Sequence, residues 1–259
     1  MFFTPEGFAL TWDYRQLFID GLICTVSLSA LTVIFGFILA LVLAIMRLSN
    51  WHPFSFLALD KNGHLREDGF LAALGRFNPI SFIASVYVEL FRATPMLVQL
   101  FLIYHVVFYG IDLPKIKIFG TIHFERFVPG VVALSLNSAA YLSEIIRSGI
   151  QSIDGGQTEA ARSLGLTQTQ NMRFIILPQA IKNILPAIAN EFVTIIKESS
   201  ICYTIGVGEI MYAVASIKGA TFRIAEPLVV ATAVYFCLTF PTSKIIEHFE
   251  RKMSVGDKR

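Results

Sequence analysis

Charge is scarce in this chain. Of its 259 residues only 15% are Asp, Glu, Lys or Arg, whereas 54% are hydrophobic, including 23 Phe. Mean hydropathy is +0.63. A soluble domain of this length has no water-free interior large enough for so much apolar surface, so the composition excludes an ordinary soluble protein and points to a bilayer. The formal net charge of +2 gives no reason to expect a nucleic-acid partner. Cysteine is equally sparse. Cys24, Cys202 and Cys237 lie in apolar surroundings, are odd in number and lack C-x-x-C spacing, so they read as small buried hydrophobes. The five histidines are scattered without H-E-x-x-H spacing, and no metal site is expected. Near the start, Glu6, Asp13 and Asp20 face Arg15 alone, the opposite of the positive region of a cleavable signal, so no removable leader is expected.

What the chain does have is long apolar segments. Leu22 to Met46 runs without charge, enough at about 1.5 Å per residue to cross a hydrocarbon core of roughly 30 Å with some tilt. Residues 49–78 contain Pro53, Asp60-Lys61-Asn62-Gly63 and Arg66-Glu67-Asp68-Gly69 and read as an extramembrane loop. Ile80 to Arg92 reads as an interfacial helix leading into a second span, Pro95 to Ile111, and Phe127 to Ile146 forms a third. In the next run Pro178 and Pro186 predict a broken helix with Ile184 to Ile196 embedded, tolerated where protein or water surrounds it. Ser199 to Ile217, with Gly206 and Gly208 as a bend, suits a re-entrant helix, and Pro227 to Ile246, kinked at Pro241, is the last span. The expected fold class is therefore all-α: one polytopic membrane domain over residues 1–259 with about five transmembrane helices.

Five spans place the termini on opposite sides. With the N-terminus outside, 14 of the 21 lysines and arginines fall on inside segments, which include the loop after Arg147. The positive-inside bias therefore predicts N-terminus out, C-terminus in, in the cytoplasmic membrane. No internal repeat signals duplicated halves.

The inside loop at 157–173 carries the most specific pattern. Glu159-Ala160-Ala161, three residues, Gly165, nine residues, then Ile175-Ile-Leu177-Pro178 reads E-A-A-x3-G-x9-I-x-L-P without a gap. Thr158 can N-cap a short helix over Glu159 to Leu164, and Gly165 can stop it. Here the chain resembles the permeases of binding-protein-dependent ABC importers, whose hallmark is this loop. The blocks Tyr87-Val-Glu89-Leu-Phe-Arg92-Ala-Thr94-Pro95-Met-Leu-Val-Gln99 and Asn137-Ser-Ala-Ala-Tyr141-Leu-Ser-Glu144-Ile-Ile-Arg147, with Asn190-Glu191-Phe, narrow the likeness to the polar amino-acid (histidine, glutamine, arginine type) branch. The polar stretch within 49–78 is longer than that family usually carries.

The resemblance implies a type I importer permease that translocates polar amino acids. It implies two copies of an ATP-binding subunit, a second permease subunit, the same or homologous, and an extracytoplasmic amino-acid-binding protein. Membrane lipid is the remaining expected partner. Glu159, Ala160, Ala161, Gly165, Leu177 and Pro178 are the expected ATPase contacts: small alanines for close approach, a carboxylate for a basic rim, a glycine to turn the chain back. No G-x-x-x-x-G-K-[ST] occurs, so the chain is not expected to be an enzyme or to carry a cofactor; ATP and Mg belong to the partner. Asn190 and Glu191, one to two turns after Pro186, and Asn137 are the candidate pathway residues. Each has a plainer alternative. Asn137 can bridge helices, and Glu191 can lock them through Lys197 or a tyrosine. Glu89 with Arg92, and Glu144 with Arg147, can pair at i, i+3. A secondary amino-acid transporter is the alternative function; it calls for ionisable residues in mid-membrane on several helices, where only Glu191 and His105 qualify. A membrane enzyme has less support, since no G-x-S-x-G elbow accompanies the buried serines, whose small size suits helix packing.

Overall fold

The computed structural model describes residues 3–58, 69–118 and 122–254. It is helical almost throughout. A short α1 (Pro5–Asp13), N-capped by Thr4, leads into the 34-residue α2 (Arg15–Leu48). In the 49–78 segment a 3-10 turn (Ser55–Ala58) packs on α3 (Phe70–Gly75), with Trp51, Phe56 and Phe70 exposed; residues 59–68 of that expected insertion lie outside the described residues. Then come α4 (Pro79–Ala93) and α5 (Met96–Leu102), the latter continued by a π turn to Val107. A two-stranded antiparallel hairpin, β1 (Lys117–Ile118) and β2 (Ile122–His123), precedes α6 (Phe124–Gln151). After α7 (Gly155–Ser163) and α8 (Gln168–Asn171) the chain forms a π turn and the long α9 (Leu177–Glu198). A 3-10 turn (Ser199–Ile205), α10 (Ile210–Thr221) and α11 (Ala225–Ser254) complete it.

Among the described residues three helical stretches are long and apolar enough to cross a membrane: α2, the run through α9, and α11. The bent pair α4–α5 makes up to four. The expected third span, α6, is long enough at 28 residues but too polar to meet the same measure, with Asn137, Ser138, Ser143 and Glu144 along it. The polar residues are tolerable because most of the helix is enclosed by protein: α2 lies along it, and α4, α5 and α9 cover its other faces. A helix shielded by neighbours need not satisfy lipid, which is why hydropathy understates it.

The α2–α6 pairing is made by small residues. A Cβ on Gly36 would stand 3.3 Å from the Ser138 side chain and 3.4 Å from the Ser135 carbonyl oxygen. Ser29, Ala40, Ala44, Ala139 and Ala140 are likewise buried, as the packing role expected of the serines requires. At the end of the bundle near α7, Ala40, Ala44, Leu142, Ile146, Ala180 and Ile184 form one cluster. At the opposite end Cys24, Leu28, Leu100, Phe127, Leu134 and Cys202 form another. Cys237 departs from expectation: it is exposed on α11, since the outward face of a spanning helix is as apolar as its inward face and sequence does not separate them.

Two other expectations are corrected here. The helix predicted to be broken by its prolines is continuous over Leu177–Glu198. Pro178 falls in the first turn, where its missing N–H is not needed, and Pro186 removes one ladder bond without ending the helix. Conversely, the break falls between α4 and α5, which meet at a 110° bend. Gly206 does mark a turn as expected, in the left-handed region at φ +81°.

Gly21 fixes how closely α10 approaches α2: a Cβ there would lie 3.0 Å from backbone atoms of Glu209 and Ile210. Backbone cannot yield as a side-chain tip can. Gly21→Val should therefore lower stability by about 1–3 kcal/mol, read as a lower melting temperature of the purified protein in detergent. Gly219→Ala, whose Cβ meets nothing within 4 Å, should leave it unchanged or raise it slightly.

Candidate coupling loop and transport pathway

The loop begins where α6 ends. Asp154, at φ −54° and ψ 131°, accepts a hydrogen bond from the Gly156 amide at 2.7 Å and so caps α7. The cap thus lies four residues before the Thr158 cap expected from sequence, because Gly155, Gly156, Gln157 and Thr158 itself join the helix once Asp154 satisfies a free amide. Its other end follows expectation. Gly165 has φ +80°, its amide donates to Arg162 O at 2.9 Å and the Leu166 amide to Ala161 O at 3.0 Å, the two bonds of a Schellman turn. A side chain at 165 would be strained in that conformation.

Thr158 acts on the return path instead. Its hydroxyl accepts from Asn171 Nδ2 at 3.1 Å, tying α8 to α7, and Thr167 with Gln170 closes a capping box at the start of α8. Ala161 is buried against this return segment, so of the two alanines expected to face a partner only Ala160 is on the outside, with Glu159. Gly165 and Pro178 are exposed and Leu177 is half-buried at the start of α9. One exposed residue was not expected: Leu164 is 81% exposed, an apolar side chain at the tip of a polar helix. Its signal was present, a leucine immediately before the helix-ending glycine.

Just above this loop, Glu144 on α6 receives both Arg147, one turn on, and Arg47 from the end of α2. The Glu144–Arg147 pair was expected; Arg47 was not, since nothing in sequence links positions 97 apart. Asn78 and Ser81 at the start of α4 bond to the carbonyls of Ser49 and Arg47, so α2, α4 and α6 are joined at this end.

The pathway candidates are not brought together. Asn137 is buried and donates to Gln99 Oε1 at 2.9 Å and to Phe91 O at 3.4 Å. Gln99 Nε2 in turn donates to Phe91 O, Thr94 O and Thr94 Oγ1 at 2.7–3.0 Å. These amides satisfy carbonyls freed at the α4–α5 bend, so Asn137 bridges helices. Glu191, half-buried on α9, accepts from Ser138 Oγ at 3.4 Å, not from Lys197 or a tyrosine as its locking role was expected to require. Asn190 is exposed on the neighbouring face of α9. Among the described residues no bond joins Glu89 to Arg92; the Arg92 guanidinium lies 5.8 Å over the Tyr141 ring.

Other buried carboxylates also escaped the sequence reading. Glu209, wholly buried, caps α10 through the amides of Met211 and Tyr212 and accepts from Tyr235 OH at 2.8 Å. Glu226 pairs with Arg223 at 2.9 Å and accepts from the Thr4 amide, tying α1 to α11.

Residues 69–255 match the family model described as the inner membrane component of binding-protein-dependent transport systems. The chain is 36% identical to the arginine transport system permease protein ArtQ of Bacillus subtilis (strain 168), covering 96% of this chain and 98% of that protein. It is 35% identical to the putative glutamine transport system permease protein GlnP of Rickettsia conorii, covering 94% and 96%. Among solved structures it resembles an amino acid ABC transporter crystallised with histidines, at 40% identity and a TM-score of 0.77 over 95% of this chain and 98% of that one. The inward-facing methionine transporter MetNI, at 17% identity and a TM-score of 0.64 over 92% and 97%, shares the fold. With most of its length inside the family model, the chain belongs to the binding-protein-dependent transport system inner membrane components, the permeases of ABC importers.

Proposed function

We propose that this permease translocates polar amino acids and is driven through α7 by a separate ATPase. The observation that carries the coupling is the build of α7: both ends fixed, by Asp154 and by the Gly165 turn, one residue, Ala161, buried behind it, and Glu159, Ala160 and Leu164 on the free side. A helix held this way can be pushed as a unit. A binding-protein-dependent ABC system also contains a binding protein and an ATPase; two ATPase copies and a second permease, identical or homologous, complete the proposed assembly, with ATP and Mg held by the ATPase. The arginine and glutamine named for the relatives support polar amino acids as cargo. Glu191 supports a preference within that class. A carboxylate inside a spanning helix costs about 2.5–3.5 kcal/mol and is normally kept for function; this one would attract an ammonium group or a basic side chain.

The membrane orientation we propose, N-terminus outside, follows the basic-residue bias. Single cysteines at the exposed Glu6 and Glu250, in a Cys237→Ser background, should react with an impermeant maleimide from opposite faces of intact cells. Labelling of both from one face would refute it.

Coupling is tested at Glu159 and Gly165. Glu159→Lys reverses an exposed charge and should cut co-purification of the ATPase and ATP-driven uptake severalfold while the permease melts as before. Gly165→Leu forces a side chain into the left-handed conformation at a cost of about 1–2 kcal/mol, local to the loop, with the same outcome. Unchanged docking and uptake in both would remove α7 from the interface. For the pathway, Glu191→Gln should lower uptake about tenfold, most for lysine and arginine where these are carried, with complex assembly intact. Equal uptake by an equally stable variant would end Glu191's part in it.

A further inference from the structure

The two tryptophans of the chain stand at matching positions. Trp12 lies three residues before the start of α2 and Trp51 three after its end, and both side chains are exposed. With 34 residues α2 is about 51 Å long, so at a tilt of about 20–30° it crosses a bilayer of about 40–45 Å, headgroups included. Both tryptophans therefore fall at headgroup level, where such amphipathic rings collect.

On the α7 side the excursion between α2 and α4 begins and ends at that level. It departs at Ser49 and returns at Asn78, and the two meet: Asn78 Nδ2 donates to Ser49 O at 2.6 Å, while Ser81 Oγ donates to Arg47 O at 3.3 Å. Its described parts, 49–58 and 69–78, hold a single Asp, Glu, Lys or Arg, which is Arg76. They expose Trp51, Phe54, Phe56, Phe70, Leu71 and Phe77 instead, Phe56 to 65% and Phe70 to 79%. What α3 buries is small, Ala72 and Gly75. A loop standing in water would bear the reverse pattern, since an exposed apolar patch of this kind marks a binding or membrane surface.

We propose that 49–58 and 69–78 form a foot laid in the plane of the membrane, its aromatic side set into the headgroup and acyl boundary of the leaflet on the α7 side, so that its partner is phospholipid. Continuity singles out lipid as the occupant. The exposed face of α2 runs through Ile38, Val42 and Ile45 toward Trp51. That of α4 runs back through Leu90 and Val86 to Phe82, whose ring lies 5.4 Å from that of Phe77. The outward faces of two helices that enter the hydrocarbon thus lead onto the foot, and the lipid that covers them covers it. The foot fixes the depth of the end of α2, and with it Arg47, which holds Glu144 of the helix that leads into α7.

Photo-crosslinking in native membranes tests this. With p-benzoylphenylalanine in place of Phe56 or of Phe70 in the full chain, expressed together with its partners, irradiation should add the mass of one phospholipid and no protein. Crosslinking of either position to an ATPase or to a second permease subunit overturns the assignment. Depth is read from Trp51 in the full-length permease carrying Trp12→Phe, reconstituted in vesicles of phosphatidylcholine and phosphatidylglycerol. Its fluorescence should be quenched severalfold more by lipids brominated near the glycerol end of the acyl chains than by lipids brominated near the methyl end, and should be shielded from acrylamide in the water. Free access of acrylamide with no quenching by brominated lipid overturns the assignment. So does shielding from both, which is the mark of a residue covered by protein.

Discussion

A chain inside a bilayer has no water with which to satisfy a broken helix, and the bend between α4 and α5 is where this constraint bears hardest. Pro95 has no amide to donate, and the 110° turn frees carbonyls that a continuous helix would have occupied. Thr94 Oγ1 donates to Leu90 O, Gln99 Nε2 to Phe91 O and Thr94 O, and Asn137 to Phe91 O and Gln99 Oε1. The bend is thus held by amides from both sides, and one of them belongs to the central helix. Once Asn137 is committed to the bend, the next positions on α6, Ser138 and Tyr141, are fixed toward α9 and the end of α4.

The same helix is clamped at the loop end by charge. Arg47 and Arg147 share Glu144, partly shielded from water, so α2 and α6 cannot slide past one another without separating opposite charges. Loss of one member would strand a partly buried charge, which is more disruptive than loss of the whole group. Since α6 continues through Ser152 and Asp154 into α7, a push on α7 is delivered to a helix already tied to α2 near that point and to α4–α5 further along. Force from an ATPase would therefore arrive at the bend rather than dissipate in a loose loop.

Much of this was legible from residue order alone where the physics is local. The apolar run of α2, the Gly165 stop and the Gly206 turn need only neighbouring residues, and the E-A-A pattern located α7 to within a few positions. What was missed depends on partners distant in sequence. Pro186 looked like a break because a proline always costs a bond, yet neighbours support α9 through it. The pair at Thr94–Pro95 looked like an ordinary approach to a span, although the amides that stabilise a real break there sit at Gln99 and Asn137. Cys237 and α6 show the complementary failure: hydropathy reports neither which face of a spanning helix meets lipid nor that a polar helix is enclosed by its neighbours. Glu191's partner was sought among cations and tyrosines because a bare carboxylate invites a charge; among the described residues it bonds the Ser138 hydroxyl instead, which leaves most of its attraction unspent.

That unspent attraction separates the two kinds of charge in this protein. Glu209 and Glu226 are buried and engaged, by helix amides and Tyr235 in one case and by Arg223 and Thr4 in the other. Glu144 is likewise saturated by two arginines. Glu191 is different: among the described residues its one hydrogen bond is from the Ser138 hydroxyl, at 3.4 Å. Structural charges in a membrane protein are satisfied within the fold, by a cation as at Glu144 or by several hydrogen bonds as at Glu209, because leaving them bare is expensive. A half-buried carboxylate on a spanning helix with so little to hold it is the kind kept for a visiting group, which is what the part proposed for Glu191 in the pathway calls for.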